Sequence, residues 1–281
     1  MKQITNIPID KLHAFEGHPY KVLDNDEMND LIGSIQKSGI LTPLLVRPLE
    51  GTPDEYEVIS GHRRLHAAQK AGLETVPAFI HAIDRDAASI LLVDSNLHRE
   101  HILYSEKAFA YKLKFEALKH QGRTSGQFGP KLTVDELSDS DSGRQVKRYI
   151  RLTHLIPPLL DLVDQGRIAF SVGVELSYIP NEAQDHLAEL IERDETTPSY
   201  SQAVRMHREN GQSFEPISRE RINEIMAEEK PNQREQIRLR RDEFSKYFPS
   251  GYSDRQIHDD ILAGLDLLRR QRIRERNRDA R

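Results

Sequence analysis

The sequence contains no cysteine among its 281 residues. The chain therefore has no disulfide framework, no thiolate metal site and no catalytic thiol. It also has no apolar run close to the roughly 20 residues that a membrane-spanning helix needs, and its first residues lack the apolar core of a signal peptide. These absences predict a cytoplasmic protein that makes no contact with a membrane.

A net positive charge is missing as well, because 40 lysines and arginines face 45 acidic residues, for a formal charge of -5. This balance excludes a surface that is basic throughout, but nucleic-acid binding depends on local clusters of Lys and Arg. Such clusters lie around Arg63, from Arg144 to Arg151, and in the tail from Arg269 to Arg281. The length suits two or three domains.

The spacing of apolar residues changes along the chain. Residues 1–84 alternate short β-prone runs at 44–48, 56–59 and 75–80 with helical stretches at 26–37 and 62–70, which predicts an α/β domain. Residues 85–200 are helical in pattern, and Ser105 is predicted to cap a helix at 106–120. A linker-like stretch follows at 211–216. Residues 212–281 form a further helical region. Its last helix is predicted to dimerise or to pack on the Phe244/Phe248 region, through the apolar stripe Ile257, Ile261, Leu262, Leu265 and Leu268.

A small-residue turn at Ser60 and Gly61 joins the run at 56–59 to the helix after it, and Arg63 and Arg64 follow at once. A strand, a glycine turn and a helix start place backbone N–H groups and the positive end of a helix dipole toward an anion. Arginine adds planar donors that fit phosphate oxygens. This stretch predicts a phosphate site, and the alternative is a solvated pair of arginines.

A second basic stretch has the pattern of a helix-turn-helix at about 132–155. Thr133 with Glu136 three residues later is a capping box that starts a short helix, and a polar turn follows at 138–143. The second helix begins with Ser142 as its cap and is predicted to enter the major groove of DNA. Its predicted DNA-binding residues are Ser142, Arg144, Gln145, Lys147, Arg148 and Arg151. A solvated basic helix is the alternative.

Together these stretches resemble the ParB/RepB partition family of DNA-segregation proteins. Residues 40–47 (ILTPLLVR) are similar to that family's Gly-Ile-Leu-x-Pro strand entry, and residues 60–68 (SGHRRLHAA) resemble its Gly-Glu-Arg-Arg-x-Arg-Ala box. Residues 95–100 (SNLHRE) resemble its Glu-Asn-x-x-Arg-Glu box, and the basic helix lies where the family places its helix-turn-helix. The resemblance follows the family's order over roughly residues 4–195.

The resemblance implies a ParB/sulfiredoxin-like N-terminal domain that binds CTP with Mg, and a dimeric clamp that CTP closes on DNA. The implied nucleotide-binding residues are Ser60, Gly61, His62, Arg63, Arg64, Ser95, Asn96 and Arg99, with Asn96 also a ligand of the metal. The implied partners are a palindromic partition-site-like operator, a second copy of the chain and a partner partition ATPase. Such a protein would be associated with the nucleoid or a plasmid.

The sequence departs from the family at three positions. His62 stands where the first box has Glu, His66 stands where it has Arg, and Ser95 stands where the second box has Glu. The last glutamate is linked to CTP hydrolysis, so the exchange favours binding over CTPase activity. Two alternatives follow: a ParB-like regulator or adaptor with a decayed nucleotide site, and a nucleotide-dependent small-molecule kinase on the same fold.

Overall fold

The structure is a computed structural model that describes residues 4–99, 101–124, 137, 141–212 and 215–228. Farther along it describes residues 247–248, 253, 256–257, 259–261, 263–265 and 267–270. Contacts divide the chain into two units, Met1–Glu228 and Glu229–Arg281. In the described part of the chain, no helix is both long and apolar enough to cross a membrane.

A five-stranded mixed sheet forms the centre of the N-terminal part. Its strands are β1 (Ile4–Pro8), β2 (Leu12–Ala14), β3 (Leu44–Pro48), β4 (Tyr56–Ser60) and β5 (Thr75–Ile80), in the order β1-β5-β3-β4-β2. β3 pairs antiparallel with β4 and parallel with β5. The three strands predicted from the sequence are confirmed, and the structure adds β1 and the short edge strand β2.

Helix α1 (Asp26–Ser38) packs against helix α2 (His62–Lys70), and α2 covers one side of this sheet. α1 begins at Asn25, whose side-chain oxygen accepts the N–H of Met28 at 3.0 Å. α2 follows β4 after one glycine, and it buries Leu65 and Ala68 against Val46 and Val58 of the sheet. The predicted α/β fold is confirmed, because helices and strands here bury each other's apolar faces.

The other side of the sheet packs against α3 (Arg85–Asp94) and α4 (Tyr104–Thr124). The sequence suggested that Ser105 caps α4, and this is wrong. Ser105 lies inside the first turn, where its N–H and hydroxyl donate to the Asp164 carboxylate at 2.9 Å and 2.5 Å. A carboxylate from a distant helix therefore supplies the cap that the local pattern assigned to serine.

Six further helices follow in the described part of the first unit. They are α5 (Gly143–Leu152), α6 (Pro157–Asp164), α7 (Phe170–Leu176), α8 (Asn181–Asp194), α9 (Tyr200–Gln212) and α10 (Arg219–Ala227). Their shared core includes Leu159, Leu176, Leu187, Met206 and Ile222, all buried. The sequence pattern indicated a linker from Gly211 to Pro216, but Gly211 belongs to α9, so that part of the prediction is wrong.

Gly173 lies in a closely packed part of this helical core. A Cβ atom at Gly173 would lie 2.8 Å from Val163 Cγ2 and 3.2 Å from Leu152 Cδ2. We expect Gly173→Ala to lower the free energy of unfolding by about 1–3 kcal/mol, because a well-packed core does not absorb an extra methyl group. Urea denaturation measures the change.

The matched control is Gly33→Ala in α1, where an added Cβ would have nothing within 4 Å. There we expect stabilisation by about 0.5–1 kcal/mol, since alanine is the better helix former. Equal effects of the two substitutions would contradict the close packing of α7 against α6.

The second unit is helical where it is described, at positions between 256 and 270. Ser253 caps this helix, because its Oγ accepts the N–H of Gln256 at 3.4 Å while Gln256 Oε1 accepts the N–H of Ser253 at 2.9 Å. Leu265 and Leu268 are each at least 50% exposed. The predicted helix is confirmed, whereas its role in dimerisation stays a prediction; Leu262 lies outside the described residues.

Candidate nucleotide site and nucleic-acid interface

A cleft of about 510 Å³ opens where β4 meets α2. Three other segments complete its walls: the loop at 18–22, the first half of α1, and the chain just after α3. Its lining residues are His18, Tyr20, Lys21, Val22, Glu27, Leu31, Ser60, Gly61, His62, Arg63, Arg64, Asn96 and Arg99. Seven of the eight residues implied for nucleotide binding therefore share one cavity.

Ser95 is the exception. Its side chain is exposed, and its hydroxyl donates to the carbonyl of Leu92 at 2.9 Å. Ser95 and Asn96 are neighbours near a helix end, and one residue along a helix turns a side chain by about 100°. Asn96 therefore lines the cleft while Ser95 does not.

Gly61 makes the turn between β4 and α2 with φ of +108°, in the left-handed region that side chains rarely adopt. A Cβ atom there would lie 3.0 Å from Leu44 Cγ and 3.2 Å from Arg64 Nη2. No side chain caps the start of α2 in the described structure. The first N–H groups of the helix are thus left for a ligand, and the helix dipole favours an anion among them.

The two arginines after this turn are used differently. Arg64 Nη1 donates to the carbonyls of Thr42 and Pro43, the latter at 2.9 Å, and burial lowers the pKa of its guanidinium. Arg63 is exposed, and its Nη2 donates to Glu27 Oε2 at 3.1 Å. Arg64 therefore fixes the approach to β3 beside Gly61, whereas Arg63 remains on the open side of the cleft.

His62 is stacked against His18, with ring centroids 3.7 Å apart. Its Nε2 accepts the N–H of Phe15 at 3.4 Å. Burial, together with the nearby His18 and Arg99, lowers the pKa of His62 to about 3, and burial is also the main cause of the lowered pKa of His18. Both rings are therefore neutral near pH 7, so His62 enters the cleft as a neutral group rather than as a third cation.

His18 and Tyr20 were missed by the sequence analysis. They lie in a loop without a phosphate-binding pattern, and only the fold brings them beside His62, more than forty positions along the chain. Tyr20 is buried, and Arg99 Cζ lies 5.5 Å from the centroid of its ring, within reach of a cation–π interaction. The second predicted box thus lines the cleft through both Asn96 and Arg99.

Asn96 is the residue implied as a metal ligand. Its Nδ2 donates to the carbonyl of Leu92 at 2.7 Å and to Ser95 Oγ at 3.2 Å, which uses both of its protons. The Oδ1 atom is left as the hard oxygen donor that Mg²⁺ prefers. No group of three or more carboxylates and imidazoles suited to a metal occurs among the described residues. The cleft therefore fits Mg²⁺ only together with oxygens from a bound phosphate.

The predicted DNA-binding residues lie on α5 or cap it. Ser142 Oγ accepts the N–H of Gln145 at 3.4 Å, which confirms the predicted cap. Arg144 and Lys147 are exposed one turn apart on the same face. The short helix predicted before α5 falls on residues 132–140, of which only Leu137 is described.

The remaining two basic residues of α5 have structural contacts. Arg148 Nη1 donates to Gln145 Oε1 at 3.1 Å, and Arg148 Cζ lies 4.9 Å from the Phe170 ring centroid. Arg151 Nη2 donates to the carbonyl of Ser177 at 2.6 Å, and its guanidinium lies over the Tyr178 ring. Both side chains hold α5 against α7, which leaves Arg144 and Lys147 as the clearest candidates for DNA contact.

The comparison with protein families bears on the N-terminal part of the chain. Residues 1–97 match the model of the ParB N-terminal domain family. These residues form a ParB N-terminal domain. The match contains β1 to β5 and α1 to α3, and thus every lining residue of the cleft except Arg99.

Two relatives are similar to this chain over part of its length. The chain is 36% identical over 109 residues to the chromosome-partitioning protein ParB of Caulobacter vibrioides. The matched stretch covers 39% of this chain and 36% of that protein. It is 29% identical over 191 residues to the probable chromosome-partitioning protein ParB of Coxiella burnetii, covering 67% of this chain and 61% of that one. The chain thus spans less than two thirds of either relative.

Solved structures of C-terminally truncated ParB from Caulobacter crescentus are also similar. The complex with the centromeric parS site covers 73% of this chain and 99% of that chain, at 23% identity and a TM-score of 0.42. The complex with CTP-gamma-S covers 68% of this chain and 99% of that chain, at 25% identity and a TM-score of 0.33. These scores are too low to establish a shared arrangement of the whole chain.

The ParB N-terminal domain is joined to the helical part through the loop that forms one cleft wall. The N–H of Lys21 donates to Glu106 Oε1 at 2.8 Å, and its ammonium lies 3.5 Å from Asp161 and 3.8 Å from Asp164. Glu106 also accepts the N–H of Leu103 at 3.2 Å. The Lys21 ammonium is therefore turned toward α6, and Lys21 lines the cleft with its backbone and the aliphatic part of its side chain.

The neutral histidines of the ParB N-terminal domain predict an acid-labile fold. The unfolded chain takes up a proton on His62 near pH 6.5, whereas the folded chain does so only near pH 3. The free energy of unfolding should therefore fall as the pH drops below 6.5, by up to about 1.4 kcal/mol per pH unit from this residue. Urea denaturation at pH 7 and pH 5 measures the loss. His62→Gln should lose less, and an equal loss in both proteins would contradict the buried, neutral state of His62.

Proposed function

We propose that this protein is a sequence-specific DNA-binding protein of the ParB type that acts in DNA segregation. It works as a homodimer, and CTP with Mg²⁺ in the N-terminal cleft controls its hold on DNA. The ParB N-terminal domain and relatives that are named chromosome-partitioning proteins support the general class. The nucleotide, the metal and the dimer are inferred from the site and from the family resemblance.

One observation carries the nucleotide half of the proposal. The turn at 60–64 and the pair Asn96 and Arg99 are separated by some thirty residues in sequence, yet they line one cleft. The cleft combines an uncapped helix start, a glycine that admits close approach, and three arginines. A site with these features suits several linked phosphates better than it suits a neutral metabolite.

Each group in the cleft has a distinct task in this proposal. The backbone N–H groups after Gly61 and the guanidinium groups of Arg63 and Arg64 bind phosphate oxygens, and Arg64 also keeps the turn in place. Asn96 Oδ1 holds the metal, which when bound neutralises part of the phosphate charge. Arg99 approaches the phosphates from the opposite wall.

For the DNA half, α5 enters the major groove with Arg144 and Lys147 foremost. An arginine side chain suits guanine, and the amide of a glutamine suits adenine. Gln145 Oε1 already accepts a hydrogen bond from Arg148, so Arg144 has the leading role in reading bases. Two copies in a dimer would read two half-sites, which predicts a palindromic operator. The exposed stripe at Leu265 and Leu268 supports a self-association surface.

We propose CTP binding without efficient hydrolysis. The family glutamate linked to hydrolysis is replaced by Ser95, whose hydroxyl is bonded to the Leu92 carbonyl outside the cleft. Within the described cleft the only carboxylate is that of Glu27, and it is paired with Arg63. Among the described lining residues no unpaired carboxylate is therefore placed to activate water, and the lowered pKa of His62 makes its ring a weak base.

A second candidate is an adaptor or transcriptional regulator of the same family with a decayed nucleotide site. Two observations favour it: His62 is neutral, and Arg64 already donates to two backbone carbonyls. In that case the cleft would have lost part of the charge that a triphosphate needs. No comparable observation favours the small-molecule kinase.

The deciding experiment is titration of the full chain with CTP and Mg²⁺, with and without duplex DNA carrying a parS site. Calorimetry reports the affinity, and a phosphate assay reports hydrolysis. We expect CTP to bind in preference to ATP and GTP, with little phosphate release, and to change DNA binding. Absence of CTP binding with intact parS binding would instead establish the adaptor. Phosphate transfer to a metabolite would establish the kinase.

A further inference from the structure

Tyr20 is a buried tyrosine whose hydroxyl has no hydrogen-bond partner among the residues that the structure describes. The residue is only 4% exposed and lines the cleft described above. The buried Tyr111 provides a contrast, since its hydroxyl donates to Asp141 Oδ2 at 2.5 Å. Buried hydroxyls are bonded in most folded proteins, so the exception at Tyr20 calls for a physical reason.

An unpartnered buried hydroxyl destabilises the folded state, because water is removed from it and nothing replaces the lost hydrogen bond. Phenylalanine would fill the same space without this penalty. Polar groups that lower the stability of the fold are concentrated at sites that bind a ligand, and the ligand then supplies the missing hydrogen-bond partner. The position of Tyr20 in the cleft wall fits this explanation.

The surroundings indicate which ligand atom would meet the hydroxyl. Arg99 lies over the ring, the stacked pair His18 and His62 is adjacent, and the uncapped start of α2 faces the same cleft. Burial raises the pKa of Tyr20, so its hydroxyl keeps its proton and acts as a donor. A donor beside an arginine and a helix start complements an anionic oxygen.

We propose that the Tyr20 hydroxyl donates a hydrogen bond to a phosphate oxygen of the bound nucleotide, which makes Tyr20 a ligand-binding residue of this cleft. The inference rests on the proposed nucleotide site and adds a residue to it. The hydroxyl is buried, so its contact with a phosphate requires a neighbouring side chain to move; Arg99 is exposed and lies over the ring, and the same phosphate attracts it.

The test compares Tyr20→Phe with Tyr111→Phe in the full chain. We expect Tyr20→Phe to raise the Tm by about 2 °C, because an unbonded buried hydroxyl is removed. It should raise the Kd for CTP by about tenfold or more, because a hydrogen bond to a charged group is lost. Tyr111→Phe should lower the Tm and leave the Kd for CTP unchanged. Higher stability with weaker binding is a combination that a purely structural tyrosine would not produce.

Inorganic tripolyphosphate identifies the atom that is contacted. If the partner is a phosphate oxygen, Tyr20→Phe weakens tripolyphosphate and CTP by the same factor. A loss confined to CTP would overturn the phosphate assignment in favour of the sugar or base. Equal binding by the wild type and Tyr20→Phe, or a lowered Tm in the variant, would overturn the role of Tyr20 and leave the proposed function standing. Failure of the wild type to bind either probe would overturn both.

Discussion

Arg64→Ala is expected to weaken CTP binding by about 100-fold, which corresponds to the loss of one or two charge-assisted hydrogen bonds. The effect has two sources. The guanidinium itself faces the phosphate turn, since its Cζ would lie 3.3 Å from a Cβ at Gly61. The same group holds the carbonyls of Thr42 and Pro43, so its loss also loosens the chain that leads into β3.

Two variants separate these sources. Arg64→Lys keeps the positive charge but loses the planar fork that spans two carbonyls, so it should recover only part of the affinity. Arg63→Ala removes the neighbouring charge, which is exposed and paired with Glu27, and should weaken CTP binding less. Calorimetric titration measures all three, and urea denaturation confirms that each variant is folded. Unchanged CTP binding in folded Arg64→Ala would remove the phosphate-site assignment.

The sequence was sufficient to predict the elements that carry this site. The spacing of Met28, Leu31, Ile32 and Ile35 predicts α1 because these residues meet on one helical face, and Gly39 ends that helix with φ of +67°. The turn at Gly61 was predictable for a similar reason, since strand, glycine and helix follow one another directly. Local patterns work here because each cause lies within a few residues of its effect.

The other half of the cleft could not be predicted in this way. His18 and Tyr20 have no special spacing, and they become part of the site only because β2 pairs with β4 and brings residues 12–14 beside residues 56–58. The neutral state of His62 follows from the same distant packing. Burial and the nearby His18 and Arg99 oppose the protonation of His62, and the helix dipole at the start of α2 acts in the same direction.

The contrast between local patterns and long-range contacts also explains why the basic residues of α5 have different roles. The sequence places Arg144, Lys147, Arg148 and Arg151 within two turns of one polar side, and all four were predicted to bind DNA. Arg151 instead fastens α5 to Ser177 at the end of α7, a contact between residues 26 positions apart. Charge patterns identify a basic helix, whereas the long-range partner of each side chain decides which charges remain for DNA.

The double variant Arg144→Ala/Lys147→Ala is therefore expected to lose operator binding by at least about 100-fold at physiological salt. Both side chains are exposed on α5, so the fold and its stability should be unchanged. A dimer would lose four positive charges from its DNA surface. If all four contact phosphates, the slope of log K against log salt should become shallower by about 4. Fluorescence anisotropy with a parS duplex at several salt concentrations measures both quantities.

The single variants distinguish base reading from phosphate contact. If Arg144 binds guanine, Arg144→Ala should reduce the preference for parS over a scrambled duplex, whereas Lys147→Ala should weaken both duplexes about equally. The charge-matched control is Lys37→Ala/Arg193→Ala, which removes one exposed lysine and one exposed arginine from α1 and α8. If that control weakens binding as much as the α5 variant does, the DNA contact is a diffuse charge effect. Loss confined to the α5 variant, with CTP binding intact, places operator recognition on α5 and separates it from the nucleotide cleft.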